Sequence, residues 1–417
     1  MQSAFDKGRQ WMQQDAPENE TRKAGDFRKT ENSMPRRDTS DWKISLTDNV
    51  SSYLGSRNPM ARDIDPKTES VWLFDNVAYR PVHVYPHKPQ PHQAEFIAAY
   101  FQRNTGKDIS QAVADIAEKI GLKKQGANEA ETEKRIAERL QPFTDAIAPA
   151  RSVSITLPNG QQERLGPGGR SAVSEQTLVA LESHKDGETI SIQPNPPEVA
   201  IHGAMTTHFT EPEGWLIISD IDDSVKTTMT PSPIGILQTT FVDDPKPIPG
   251  MPELYQRIQS TFPQPPTWFY LSASPYNLYP FLRSFLHAHY PPGPIVLRDA
   301  SWMNLGGFLA SLTQGTEAYK KSRIEKIHQW LPKRKVICVG DSTQSDPEAY
   351  GDICRKYPGW VRKVFIRRVE DVAEMQGTDK NSAGRFEKAF EGVEKGVWQT
   401  FLKPEECWEA VEKLRGT

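Results

Sequence analysis

The sequence predicts an α/β chain. Its second half reads as a parallel sheet covered by helices, preceded by a β-rich, sandwich-like accessory domain with a helical insertion. Three observations predict this. From residue 214 onward, five short apolar runs alternate with segments of helical spacing, the pattern of a parallel sheet buried on both faces. Between about 65 and 210 the texture is one of short strand-like runs, two of them joined by Asn159-Gly160, a hairpin signal. Residues 94–122 and 131–143 interrupt that texture with helical periodicity.

In chain order, residues 1–62 are polar and charged with scattered aromatics such as Trp11, Trp42 and Tyr53. They read as a weakly structured arm with one short helix. Met1, Phe5, Trp11 and Met12 could form an amphipathic membrane-touching helix, but a tail or a helix packed on its own protein is favoured. The accessory domain, 65–210, holds strands at 71–79, 80–85, 152–165, 188–194 and 198–209, with the helical insertion within 94–143. In the C-terminal domain, 211–417, strands are expected at 215–219, 267–273, 294–299, 335–341 and 361–368. Helices are expected at 251–262, 277–289 and 320–331.

A length of 417 residues suggests two or three domains. The formal net charge of -3 argues against broad nucleic-acid binding. Cys338, Cys354 and Cys407 lack CxxC spacing and read as idle thiols in a reducing compartment. The N-terminal residues lack the apolar core of a signal peptide. No run approaches the roughly 18 apolar residues that span a bilayer, so a soluble protein with peripheral membrane contact is expected.

The chemistry gathers where strands end. GWLIISDIDDSVKTT (214–228) places Asp220, Asp222 and Asp223 directly after an apolar run. At about 4 Å each like-charge pair costs roughly 1 kcal/mol in water and about 4 kcal/mol at an effective dielectric of 20, so something must offset them. The second strand ends on Ser272 and Ser274, the fourth on Asp341, and Lys320 or Lys321 opens the helix before the fourth. Ligands of such sheets bind beyond the carboxyl ends of the strands. Asp220 can attack phosphorus as a carboxylate nucleophile. Asp222 can protonate the departing alkoxide and then deprotonate the attacking water. Ser272 can donate to a phosphoryl oxygen, and the lysine can stabilise developing charge. Mg²⁺ prefers one or two carboxylates plus waters and phosphate, which Asp220, Asp341 and the backbone carbonyl of Asp222 would supply. Asp346 could hold a metal-bound water.

Each feature alone is weak, and the chain holds its own contrast. RDIDPKTE (62–69) also has two aspartates two apart, Asp63 and Asp65, but Met60, Ala61 and Arg62 precede them in place of a buried strand. It reads as a surface turn. The weight lies in the ordered set at the ends of one sheet.

That set resembles the four motifs of haloacid-dehalogenase-type phosphatases. The phrases SDIDDSVKTT, FYLSASPYNLYPFL, VLRDASW and VICVGDSTQSDPEAYG are similar to the catalytic domain of the fungal actin-patch phosphatidate phosphatases, related in chemistry to the lipins. The resemblance covers about 205–370. It implies a haloacid-dehalogenase-like Rossmannoid sheet. It implies Mg²⁺-dependent hydrolysis of phosphatidate to diacylglycerol and phosphate through an aspartyl-phosphate. Asp220 is implied as nucleophile, Asp222 as general acid/base, and Ser272 and Lys320 as phosphate-binding, Lys320 being preferred because Ile324 follows four residues on. The metal set implied is Asp220, Asp222, Asp341 and Asp346. Ser224 departs from the threonine usual there. Cytoplasmic localisation, peripheral at membranes or actin patches, and cytoskeletal or endocytic partners follow from the same resemblance. Competing readings are a phosphatase of phosphoproteins or soluble phosphomonoesters, and a catalytically silent scaffold. Residues 230–250 read as a small hairpin-like flap over an open site, which suits a substrate that stays in a membrane. Tyr276, Tyr279 and Trp302 could touch lipid, though core packing is the preferred role.

Overall fold

The computed structural model describes residues 18–34, 61–82, 90–103, 110–121, 128–169, 171–298 and 305–416. Trp11, Trp42, Tyr53 and Trp302 lie outside the described residues, as do the segment considered for membrane contact and the end of the expected strand at 80–85. Among the described residues no helix is long and apolar enough to cross a membrane.

Two short helices come first, α1 (Glu20–Ala24) and α2 (Phe27–Asn32). Asn19 caps α1 by accepting from Arg22 N at 2.9 Å. Phe27 is fully buried and, with Met34, joins the core of the C-terminal half.

Strands β1 (Arg62–Asp63), β2 (Glu69–Leu73), β3 (Asn76–Tyr79), β4 (His92–Phe96) and β5 (Ala98–Gln102) follow. Helices α3 (Ser110–Lys119) and α4 (Asn128–Thr144) come next. Then come β6 (Arg151–Thr156), β7 (Gln162–Leu165), β8 (Thr177–Leu181), β9 (Thr189–Asn195) and β10 (Met205–Thr210). The main sheet runs β1-β6-β9-β10-β3-β4-β8, with β7 paired to β6, while β2 and β5 pair separately. The Asn159-Gly160 hairpin is the β6–β7 connection, and Gly160 supplies the positive φ (+83°) that its turn requires. Asp65 closes a turn by accepting from Lys67 N at 3.0 Å, so the second two-aspartate pattern carries no site.

Residues 92–102 correct the expected helix: they form β4 and β5. Ala98, Ala99, Tyr100 and Phe101 are all buried, so no polar stripe exists, and a short continuous apolar run does not separate helix from strand. The helical part of the insertion is α3 and α4. It leaves the sheet it interrupts and packs on the C-terminal half, where Ile116, Ile136, Leu140 and Phe143 share a core with Ile217, Phe241 and Phe308.

The C-terminal half opens with β11 (Trp215–Asp220), α5 (Pro233–Leu237) and a π-helical turn, Gln238–Val242. It continues through α6 (Met251–Thr261), β12 (Thr267–Pro275), α7 (Tyr279–His289), β13 (Ile295–Arg298), α8 (Leu305–Thr313) and α9 (Thr316–Trp330). It ends with β14 (Lys335–Asp341), α10 (Asp346–Lys356), β15 (Val361–Arg367), α11 (Ala383–Ala389), β16 (Trp398–Phe401) and α12 (Trp408–Lys413). The strands are all parallel in the order β13-β12-β11-β14-β15-β16. Alternate residues sort into two cores: Ile217, Ile337 and Val339 on one face, and Leu216, Ile218, Val336 and Cys338 on the other. The first strand is central and the order reverses between β11 and β14. That topological switch point is where an open α/β sheet leaves a crevice.

The flap expected at 230–250 has a hairpin-like base, where Thr227 N donates to Lys246 O at 2.9 Å and Ile248 N to Val225 O at 2.9 Å. Its tip is helical, because Ser232 accepts from Gly235 N at 3.2 Å and starts α5. Buried polar ties join the two halves. Asp75 accepts from Arg283 Nε at 2.7 Å and Nη2 at 3.0 Å, and Arg334 pairs with Asp186 at 2.5 Å.

Candidate active site

β11 and β14 bring Asp220 and Asp341 to the switch point, and the start of α10 adds Asp346. One oxygen from each lies within 4.8 Å of the others, and all three side chains are buried. Gly340 makes the approach of Asp346 feasible, because a Cβ there would stand 2.4 Å from Asp346 Oδ2. Asp346 Oδ2 also accepts from Asp341 N at 3.0 Å. Lys320 of α9 reaches the cluster, pairing with Asp220 Oδ1 at 2.6 Å and with Asp346. Lys321 points away and pairs with Asp352, so the two lysines left open in the sequence are separated by geometry.

One ammonium cannot balance three buried carboxylates. Burial first, then the Asp346 charge, hold the Asp220 carboxyl well above the usual carboxylate range, with Lys320 opposing. The same causes push Asp341 up to about 7. Burial pulls the Lys320 ammonium down, but Asp220, Asp346 and Asp341 together outweigh it and leave it above the ordinary lysine range. The donor set of hard oxygens with surplus negative charge fits a divalent cation such as Mg²⁺.

Asp341 takes up a proton on folding between the ordinary aspartate value and about 7. Its folded pKa is raised, so in chelator-treated buffer stability is expected to fall as pH rises from about 4 to about 7. The slope approaches roughly 1.4 kcal/mol per pH unit for one such group. A thermal midpoint that rises over this window would contradict a protonated Asp341.

Asp222 sits two residues past Asp220, and three hydroxyls surround its carboxylate. Ser272 Oγ donates to Oδ2 at 2.5 Å, Ser274 Oγ to Oδ2 at 3.2 Å, and Thr228 Oγ1 to Oδ1 at 2.9 Å. Its side chain is therefore outside the carboxylate trio. Ser224 Oγ donates to Asp220 Oδ2 at 3.3 Å and to Asp341 Oδ2 at 3.4 Å. Serine thus keeps the hydroxyl contacts that threonine would make.

Asp223 turns away, as the turn after a strand end suggests. It adopts φ +57°, a conformation Asp tolerates better than most residues. Its carboxylate accepts from Thr228 N at 2.9 Å, Met229 N at 2.8 Å, Thr230 N at 2.7 Å and Thr230 Oγ1 at 2.7 Å. Asp223 thus fixes the loop that carries Thr228. Thr230 Oγ1 then meets Thr343 Oγ1 at 2.8 Å, tying that loop to the one after β14.

Sequence reasoning missed Lys226, Thr228, Thr230 and Thr343. The signal was the hydroxyl-rich run KTTMT immediately after the aspartates. Lys226 is buried, which lowers its pKa, with the charges of Asp222 and Asp223 opposing.

The open site expected from the sequence is not observed. Asp220, Asp222, Ser272, Lys320 and Asp341 are all buried. The cover comes from elsewhere in the chain. Arg135 of α4 donates to Val242 O at 2.9 Å, and Arg139 donates to Thr240 O at 3.2 Å and Asp243 O at 2.6 Å. Phe143 packs edge-on against Phe241 and Phe308. The insertion helix therefore holds the flap down, a long-range contact that the flap's own length could not reveal. Tyr276 and Tyr279 are core residues, buried to 3% and 2% exposure.

Residues 215–368 match the family described as phosphatidate phosphatase APP1, catalytic domain. The phosphatidate phosphatase APP1 of Saccharomyces cerevisiae is 31% identical over 163 residues, covering 38% of this chain and 27% of that protein. An uncharacterized protein of Schizosaccharomyces pombe is 29% identical over 178 residues, covering 40% of this chain and 28% of that protein. The chain therefore spans little more than a quarter of the length of the curated relatives it matches.

Proposed function

We propose, for a chain whose residues 215–368 match the family described as phosphatidate phosphatase APP1, catalytic domain, that it hydrolyses phosphatidate to diacylglycerol and phosphate. The observation that carries the chemistry is the pairing of buried Asp220 with Lys320 at 2.6 Å beside a hydroxyl-ringed Asp222. The family match carries the substrate. The α/β sheet is read as haloacid-dehalogenase-like, and its β-rich neighbour as an accessory domain whose insertion covers the site.

In this reading Asp220 attacks phosphorus and the phosphorus–oxygen bond to the glycerol breaks. Asp222 gives its proton to the departing oxygen, leaving an aspartyl-phosphate on Asp220. Asp222 then takes a proton from water, which attacks the same phosphorus and frees phosphate and Asp220. Ser272 moves its hydroxyl from Asp222 to a phosphoryl oxygen, and Lys320 holds the charge that develops on Asp220 and the phosphoryl group. Asp220, Asp341 and Asp346, with the backbone carbonyl of Asp222, would hold Mg²⁺. When bound, Mg²⁺ supplies positive charge that neutralises phosphoryl oxygens. Peripheral membrane and actin-patch localisation, with endocytic protein partners, rest on the resemblance alone.

The test is a substrate panel with Mg²⁺ present: phosphatidate in detergent micelles, a phosphopeptide and a soluble aryl phosphate. The expected order places phosphatidate first in kcat/KM. A preference for the phosphopeptide or aryl phosphate would replace the lipid reading with that of a phosphoprotein or soluble-ester phosphatase.

A further inference from the structure

The two oxygens of Asp222 have different surroundings. Oδ2 faces Ser272 and Ser274, whereas Oδ1 faces Thr228 alone among the described side chains. Behind Thr228 lies Lys226, whose ammonium donates to Thr228 Oγ1 at 3.1 Å and to Thr227 O at 3.1 Å. Lys226 is 1% exposed. Among the described residues it forms no ion pair, and its nearest aromatic contact is the Phe281 ring at 5.5 Å. Burying an ammonium without a paired carboxylate is costly, and holding the flap in place does not by itself require a charge.

The threonine hydroxyl supplies the reason. It has one proton and two lone pairs. While the ammonium donates into a lone pair, the proton must point elsewhere. Asp222 Oδ1 is the nearer acceptor at 2.9 Å, against 3.4 Å for Lys226 O. Lys226 therefore sets the direction of the Thr228 hydroxyl, and that hydroxyl sets the rotamer of Asp222.

We propose that Lys226 and Thr228 are positioning residues that anchor Oδ1 of Asp222 and leave Oδ2 as its working oxygen. The inference rests on the reading of Asp222 as general acid/base. Ser272 vacates Oδ2 when it turns to the phosphoryl group. The Oδ2–H bond then breaks as its proton passes to the leaving oxygen, and it re-forms with a proton from the attacking water. Lys226 and Thr228 keep their protons throughout and touch no substrate.

The test compares Lys226→Met and Thr228→Val with the conservative Lys226→Arg and Thr228→Ser. Two substrates are used, phosphatidate in detergent micelles and p-nitrophenyl phosphate, whose phenolate leaves without a proton. The expected result for Lys226→Met and Thr228→Val is a fall in kcat for phosphatidate of about tenfold or more, with KM little changed. The pre-steady-state burst of nitrophenolate should stay within about twofold of the parent. Lys226→Arg and Thr228→Ser should recover most of the loss. A burst slowed as much as phosphatidate turnover would mark a structural or phosphate-binding role. A raised KM at constant kcat would mark direct substrate contact, and parent-like rates would mark no role; each overturns the anchor. If Lys226→Met does not fold, the Thr228 pair carries the same comparison. An Asp222→Asn control separates the two levels. Retained phosphatidate turnover in it overturns the general acid/base reading itself. A dead Asp222→Asn beside unaffected Lys226→Met and Thr228→Val overturns the anchor alone.

Discussion

Asp220→Asn is expected to lower kcat for phosphatidate by at least about 10⁴-fold, the scale on which removal of a nucleophile that works with its neighbours is felt. An amide in that position cannot form the aspartyl-phosphate. The change also removes one charge from a cluster in which Asp220, Asp341 and Asp346 share one lysine. Burial and Asp346 already hold the Asp220 carboxyl toward its neutral form. The variant should therefore fold at least as well as the parent in chelator-treated buffer, while losing turnover. Activity measured as phosphate release, together with a thermal midpoint, separates the two effects. Turnover within tenfold of the parent would remove Asp220 from the mechanism.

Lys320→Met is expected to be the most destabilising single change in the site. It leaves buried Asp220 and Asp346 without their cation. Removing one partner of a buried ion pair costs about 3–5 kcal/mol, far more than the pair itself contributes. Lys321→Met provides the contrast at the neighbouring position. Its partner Asp352 is 36% exposed and Lys321 itself 32% exposed, so its loss should stay within about 1 kcal/mol. If Mg²⁺ binds the folded carboxylates and not the unfolded chain, adding it should recover part of the Lys320→Met loss by mass action. Equal midpoints for Lys320→Met and Lys321→Met would mean that the buried cluster is not held by Lys320.

Much of the C-terminal half was legible because a parallel sheet buried on both faces writes itself as continuous apolar runs. β14 has the expected bounds, 335–341, and β11, β12, β13 and β15 fall within two residues of theirs. The Asn159-Gly160 hairpin was legible from its turn residues. The strand β16 was not, because Trp398–Phe401 is short, half-exposed at its start and at the sheet edge. The segment 94–102 was misread because Ala98–Phe101 of β5 are buried on both sides of the strand and carry no period.

In the site, the aspartates and Ser272 could be named from residue type and order, and the lysine as one of the pair Lys320 and Lys321. Their burial could not. Nor could the hold on the flap, which comes from Arg135 and Arg139, about a hundred residues upstream of the flap carbonyls they bond. The roles of Thr228 and Thr230 were hidden for a related reason. Asp223, which alone looks like a surplus charge, folds the loop that brings them in.

If Asp220 carries the phosphoryl group between phosphatidate and water, acid-quenching the enzyme during turnover of phosphatidate labelled in its phosphate should trap it. The expected result is label bound to the peptide containing Asp220, released by hydroxylamine as an acyl phosphate is, and absent from Asp220→Asn. Turnover without protein-bound label, or label that persists in Asp220→Asn, would take the phosphoryl group off Asp220.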